Sequence, residues 1–441
     1  MMKIGILGGG LCGVALAYFL QNNDRVESIE ILEKESEPGG LCRSFQSNGI
    51  CYDIGPHVIF SRDDEILDVM TGLLGENKKK LRRVNKIYHK GSFIKYPFEN
   101  ELSALPDADR DYCLNTFLNN PYEKEPADNL LTYFLKTFGE GITGIYLKPY
   151  NEKIWKFDPA RMDTQMAGRI PKPPPEDIIK SAAGIPTEGN LPQLYFYYPR
   201  QGGINALIKS FIDRFNRKVR IFTGSNVAAL KKTGDQWRIE TEHHAVRNYD
   251  VVISTIPVPL LAGLYQEDMP DEVRTSVNGL KYNSLIITVI NVRKDNLGDN
   301  FAVMVPDENI VFHRLSKLNF LGDNYCKDDK STTLLAEITF SKNSAMDQMN
   351  VSEAEEKIIA GLEAARFIDT RDHINFLKTR RFEYAYVICD LDHQRNMKVV
   401  KNYFSGQGVR LCGRFGEFEY LNMDAVIRRA KNLSEEIEIK I

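Results

Sequence analysis

Gly8, Gly10 and Gly13 fall in the spacing GxGxxG. A short apolar run, KIGIL at 3–7, leads into them, and VALAYFL leads away. Strand, tight turn and helix in that order seat a dinucleotide pyrophosphate. The first glycine allows the turn, the second lets phosphate approach the backbone, and the third lets helix and strand pack closely. A second apolar strand, SIEIL at 28–32, ends at Glu33, where an acidic side chain accepts hydrogen bonds from the adenosine ribose hydroxyls. Two further stretches carry chemistry. His57 follows a Gly55-Pro56 turn in YDIGPHVIF, and Arg414 sits between glycines in Gly413-Arg414-Phe415-Gly416. After that loop come Tyr420 and then Asn422-Met423-Asp424, ahead of a helix that Asn422 or Asp424 can cap. The free N–H groups of such a helix start suit an electron-rich cofactor oxygen.

The elements that must hold these residues are spread over the whole chain. At 441 residues it has room for two or three domains. A net charge of −3 gives no reason to expect nucleic acid or an anionic membrane as partner. No apolar run reaches the roughly 20 residues that span a bilayer. The glycine run and the lack of a basic segment argue against a signal peptide at the N-terminus. The seven cysteines lack any CxxC pair and the seven histidines lack metal-ligand spacing. That composition points to reduced thiols in a cytoplasmic protein and to no metal site. Helices are expected at 61–75 and 352–367 and through most of 100–180. Strands are expected at 82–98 around a Lys90-Gly91 turn, at 249–261, and as an antiparallel sheet over 278–340.

Gly39-Gly40 and Arg43, just after Glu33, decide which dinucleotide. The pattern resembles FAD enzymes of the glutathione-reductase type, including the amine oxidases and their relatives. The resemblance implies an α/β fold (α+β overall) with a discontinuous Rossmann-type FAD-binding domain from 1–90, 197–265 and 385–441. It also implies a mainly helical insertion at 91–196 and an antiparallel-sheet substrate domain at 266–384. Gly40 and Arg43 would pass near the flavin, Val227 would meet the adenine through its backbone, and His57 would lie against the flavin ring.

The wording GRxGxxxYLxMDxxI at 413–427 resembles the UDP-galactopyranose mutases more closely still. So do DIGPHxxF at 53–60, YNEKIW at 150–155, RIP at 169–171 and YAYVICDLD at 384–392. That family interconverts pyranose and furanose rings of a nucleotide sugar, through a sugar adduct at N5 of a flavin that must be reduced. The resemblance gives the leaving diphosphate to Arg169 and Arg314, with Tyr384, Tyr386 and Tyr420 as phenolic donors. It places Arg414 near the flavin and gives His57 a hold on the N5 geometry. It implies a nucleotide-sugar substrate and a separate flavin reductant, and leaves homo-oligomerisation open. The chain departs from the family between 180 and 201, which lacks the stretch that holds uridine in bacterial members. An oxidase, dehydrogenase or desaturase of the amine-oxidase or protoporphyrinogen-oxidase type shares the glycine fingerprint, Glu33 and the Gly-Gly-x-x-Arg, and is the rival reading.

Overall fold

Ile4, Ile6 and Leu7 are all buried, as a strand covered on both faces requires. They lie on Met2–Leu7, the centre of a five-stranded parallel sheet. Its order is Val409–Leu411, Val251–Ser254, Met2–Leu7, Val26–Leu32, Val219–Phe222. Strands from both ends and the middle of the chain therefore converge, and their carboxyl ends share one edge, where open α/β sheets bind ligands. Gly8, Glu33, Thr255 and Cys412 follow four of these strands. The helix Leu11–Leu20 packs against the C-terminal helix Met423–Ile439, which brings Asn422 and Asp424 to the same edge. The computed structural model describes residues 1–170, 172–188, 194–328 and 330–439, without the side chains of Arg169, Glu438 and Ile439.

A seven-stranded sheet forms the other half. Its order is Ile374–Ile388, Lys281–Val292, Thr332–Phe340, Arg314–Lys317, Ala302–Met304, Asn85–His89, Ser92–Lys95. Every neighbour pair is antiparallel except Ala302–Met304 with Asn85–His89. The hairpin Asn85–His89/Ser92–Lys95 turns at Lys90 (φ 46°) and Gly91 (φ 85°), the paired positive φ of a two-residue hairpin loop.

Side-chain alternation in this sheet fixes what faces the site. On Thr332–Phe340, Leu334, Ala336 and Ile338 join one apolar cluster, and Leu335 joins the other. Glu337 therefore shares a face with Leu335. That second cluster includes Tyr52 and Ile54, which lead into Gly55.

Helices Asp107–Leu118, Leu130–Ile142, Lys148–Trp155 and Pro175–Ala182, with the π-helical turn Thr143–Leu147 and 3₁₀ turns at Leu102–Ala104, Pro159–Arg161 and Thr164–Arg169, fill most of 100–182. Asn129 and Thr132 form a capping box at the start of Leu130–Ile142. The helix expected from 61 starts at Asp64, because the Asp63 carboxylate accepts the Ile66 N–H (3.2 Å) and caps it there. In the apolar run 249–261, Tyr249 ends the strand Val246–Tyr249 and the parallel strand covers only Val251–Ser254. Pro257 then starts the helix Val258–Leu264, since proline suits the position ahead of a helix and cannot continue a ladder.

Candidate active site

A cavity of about 1900 Å³ joins the two sheets' functional edges. Typical ligand pockets hold about 300–1000 Å³, so this one has room for a dinucleotide and a substrate together. One end is lined by Gly8, Gly10, Glu33, Gly40 and Val227, and the other by His57, Arg314, Tyr384, Tyr386 and Tyr420. Gly8 has φ +98°, and a Cβ on Gly40 would approach the Gly10 Cα to 3.2 Å. The two glycine loops thus lie backbone against backbone, tied by Gly39 N donating to Gly9 O at 2.8 Å. The Glu33 carboxylate accepts from Gly9 N (2.8 Å) and Glu35 N (2.9 Å) and stands at the cavity wall. Gly13 does not line the cavity; a side chain there would collide with the Gly8 carbonyl. Arg43 is paired with Glu35 at 2.9 Å and lies over Phe45. An elongated space with side-chain-free walls and an acid at one end fits FAD. Arg414 adds a buried Nε with no hydrogen-bond partner among the described residues.

At the other end, the sheet register places Arg314 directly opposite Glu337. The guanidinium donates through Nε to Oε1 and through Nη2 to Oε2, each at 2.6 Å. The Glu337 side chain is 0% exposed and that of Arg314 28%, so the acid is dry and the arginine fronts the cavity. Gly55 packs onto this pair. Its φ is +75°, and a Cβ there would come within 2.7 Å of Glu337 Oε2. The glycine is what lets the turn carrying His57 close over the ion pair. His57 Nδ1 lies 2.9 Å from Gly55 O. A carbonyl only accepts, so Nδ1 carries the proton and Nε2 keeps a lone pair. Burial, and then the Arg414 charge, push the His57 pKa down to about 4, with Arg314 adding to the effect. The imidazole is therefore neutral at physiological pH.

Phenols complete this end. The Arg414 guanidinium lies 4.4 Å from the Tyr420 ring centroid and 5.3 Å from that of Tyr386, and its Nη2 donates to Ala385 O at 2.6 Å. Tyr386 packs edge-on to Trp155, and Tyr384 stacks on Tyr282 at 4.3 Å. Burial raises the pKa of both Tyr384 and Tyr386, so both are protonated donors. Asn422, Met423 and Asp424 line the cavity between the two ends, and the Asp424 carboxylate accepts from Ser61 Oγ at 2.7 Å. The helix it opens is thereby pinned to the segment after His57. The Arg169 side chain lies outside the described residues; its backbone ends the 3₁₀ turn Thr164–Arg169. Sequence reasoning missed Glu337, Arg83, Glu99, Arg380, Tyr146 and Tyr150, which form or line this cavity or, for Glu337, back it. Glu337 had a signal, a lone acid inside the apolar strand TTLLAEITF, and Tyr150 opens the YNEKIW motif; Arg83, Glu99, Arg380 and Tyr146 had none in their local sequence.

Comparison with known proteins agrees with this architecture. A family model for flavin containing amine oxidoreductases matches residues 98–386, and one for an NAD(P)-binding Rossmann-like domain matches 6–73. A crystal structure of reduced UDP-galactopyranose mutase superposes with a TM-score of 0.90 at 24% identity, covering 99% of this chain and 94% of that one. A putative protoporphyrinogen oxidase from Exiguobacterium sp. 255-15 superposes at 0.78 with 17% identity, covering 100% and 99%. At such identities the likeness is one of fold. The coproporphyrinogen III oxidase of Staphylococcus aureus is 32% identical over 60 residues, 14% of this chain, and the chain spans only 13% of that relative's length. The chain belongs to the flavin containing amine oxidoreductase family, as a flavoprotein built like UDP-galactopyranose mutase with FAD as its cofactor.

Proposed function

We propose that this protein is an FAD-dependent mutase that interconverts the pyranose and furanose rings of a nucleotide-diphosphate sugar. The observation that supports the reading most is the Arg314–Glu337 pair. Glu337 occupies the Nε and Nη2 edge and fixes the guanidinium plane, which leaves Nη1 for a ligand oxyanion at a partly dry site. An oxidase that takes hydride from an apolar substrate has no use for a charge so placed. Arg314 and Arg169 would hold the diphosphate as it leaves and returns. Tyr384, Tyr386 and Tyr420 would donate to its oxygens or to sugar hydroxyls. Neutral His57 would accept a proton or hydrogen bond beside the flavin, and Arg414 would hold the far side of the ring system. Gly8, Gly10, Gly40, Glu33, Arg43, Val227 and the start of the Met423–Ile439 helix would hold FAD. When bound and reduced, the flavin supplies the nucleophile for the anomeric carbon.

The test is a trapping experiment. The FAD-loaded protein is reduced with dithionite, offered UDP-, GDP- and dTDP-hexoses, quenched with cyanoborohydride, and its released flavin weighed. A flavin heavier by one sugar supports the mutase reading. Unmodified flavin with every donor, together with oxygen-dependent turnover of an amine or carbocyclic substrate, transfers the protein to the oxidase reading.

A further inference from the structure

Arg83 lines the same cavity and has no role in the reading above. Its guanidinium makes no hydrogen bond or ion pair with any described residue, and its Nε and Nη2 are shut off from solvent without an acceptor. It lies 5.3 Å from the Phe60 ring centroid and 5.8 Å from that of Phe196. A guanidinium stays charged in a protein, and burying it without an anion is unfavourable. Phenylalanine faces offset only part of that.

Three other arginines along this cavity meet a carboxylate, while Arg380, Arg381 and Arg414 donate to a phenol or to backbone carbonyls. Arg314 holds Glu337 at 2.6 Å, Arg428 holds Asp63 at 2.7 Å and Arg43 holds Glu35 at 2.9 Å. Each faces a carboxylate of the chain. Glu99, an acid that also lines the cavity, does not play that part. No bond joins the two, Glu99 is 2% exposed, and its Oε1 has no partner either. Burial pushes the Glu99 carboxyl up to about 8, so it is uncharged at neutral pH. Tyr96 lies within reach of both. Burial raises its phenol to about 12, with the Arg83 charge opposing and Glu99 adding to the rise. The cavity thus holds a positive charge that no described residue pairs with and a buried carboxyl oxygen that none of them bonds.

We infer that Arg83 receives a carboxylate carried by the glycosyl part of the substrate, so that the sugar is a uronate rather than a neutral hexose. This rests on the nucleotide-sugar reading for the rest of the ligand. A planar guanidinium matches a planar carboxylate, the partner Arg314, Arg428 and Arg43 take, and Arg314 already stands at the place proposed for the diphosphate.

The experiment titrates the FAD-loaded protein with UDP, UDP-galactose and UDP-galacturonate, and separately with free galactose, free galacturonate and pyrophosphate. The expected result is that UDP-galacturonate binds about tenfold or more tightly than UDP-galactose, the scale of one charge-assisted contact. Arg83→Met should abolish that preference and leave UDP affinity within about twofold, and Arg83→Lys should retain part of it. Equal affinity of the wild type for the two sugars overturns the inference without any variant. So does an Arg83→Met protein that loses UDP and pyrophosphate binding as much as uronate binding, which makes Arg83 a phosphate residue. Failure of every uridine ligand excludes uridine as the base, and failure of the GDP- and dTDP-hexoses as well refutes the nucleotide-sugar reading instead. The free sugars then decide Arg83 on their own, by whether galacturonate outbinds galactose in the wild type alone.

Discussion

Arg314→Met and Glu337→Gln break the same ion pair, yet they should not be equally harmful. Glu337 is 0% exposed and lies on Thr332–Phe340, every residue of which is buried, whereas Arg314 is 28% exposed to the cavity. Glutamine at 337 leaves a guanidinium that cavity water still reaches. Methionine at 314 leaves a carboxylate in a dry interior. Breaking a buried pair from one side costs about 3–5 kcal/mol, so Glu337→Gln belongs near the lower figure and Arg314→Met near the upper at pH 8. Replacing both by methionine removes the orphan, and the double variant should lie within about 2 kcal/mol of the wild type, far from the sum of the singles. At about 2.1 cal/mol/K of unfolding entropy per residue, a chain of this size loses roughly 1 °C of Tm per kcal/mol, so the singles should melt roughly 3–5 °C lower. The pH dependence adds a second check. A lone buried carboxylate is neutralised when pH falls, so the Arg314→Met deficit should shrink between pH 8 and pH 5, by up to about 1.4 kcal/mol per unit. Glu337→Gln has no acid at that position and should show no such recovery. Thermal melts of the FAD-loaded proteins at pH 5 and pH 8 measure all of this. Additive single losses, or an Arg314→Met deficit that ignores pH, would refute the assignment of Glu337 as the dry member of a coupled pair.

Two further outcomes follow from the same turn. Gly55→Ala places a methyl 2.7 Å from Glu337 Oε2 and 3.2 Å from Arg314 Nη2 at a φ of +75°. It should lower stability by at least about 2 kcal/mol and impair the proposed mutase turnover, whereas an unchanged melt would show that the turn does not rest on the pair. His57, held down to about 4 by burial and by Arg414, stays neutral while an unfolded imidazole protonates near 6.5. Its contribution is therefore present above about pH 6.5 and lost as pH falls through that window to about 4, an upper bound of roughly 3 kcal/mol. Stability curves of the wild type and His57→Gln should converge as pH falls from 7 to 4; parallel curves would contradict the neutral imidazole.

How much of this was legible in the sequence follows from how far apart the cooperating residues are. The glycine fingerprint and Glu33 were readable because strand, turn and helix are contiguous and each glycine answers to a local requirement. The parallel sheet was readable in part, since its apolar runs stand out, but its order depends on pairing Met2–Leu7 with Val251–Ser254, far along the chain. His57 and Arg414 could be placed at the cavity from their motifs. What fixes them could not. The Gly55 requirement comes from a carboxylate on another sheet, and the His57 shift comes from burial first and then from an arginine 357 positions later. Arg83 was invisible for the same reason. Nothing in KKLRRVNK distinguishes an arginine packed between Phe60 and Phe196 from its exposed neighbour Arg82, and only tertiary packing separates them.

The register of one strand pair joins these features into a single argument. Arg314 faces Glu337 because Arg314–Lys317 and Thr332–Phe340 run antiparallel in that alignment. Side chains alternate faces, so a slip of one residue would turn Glu337 toward the opposite cluster and bring an aliphatic neighbour to Gly55. The arginine would then be unpaired and the turn bearing His57 unsupported. The apolar residues of Thr332–Phe340 resist that slip, since both faces of the strand are filled by clusters that each accept only one set of alternate residues. The hydrophobic pattern of a strand that never contacts a ligand therefore holds the charge in place, and the charge in turn fits the glycine turn that presents the histidine. Any substitution that loosens this register, however distant from the cavity, should disturb Arg314 and His57 together rather than one at a time.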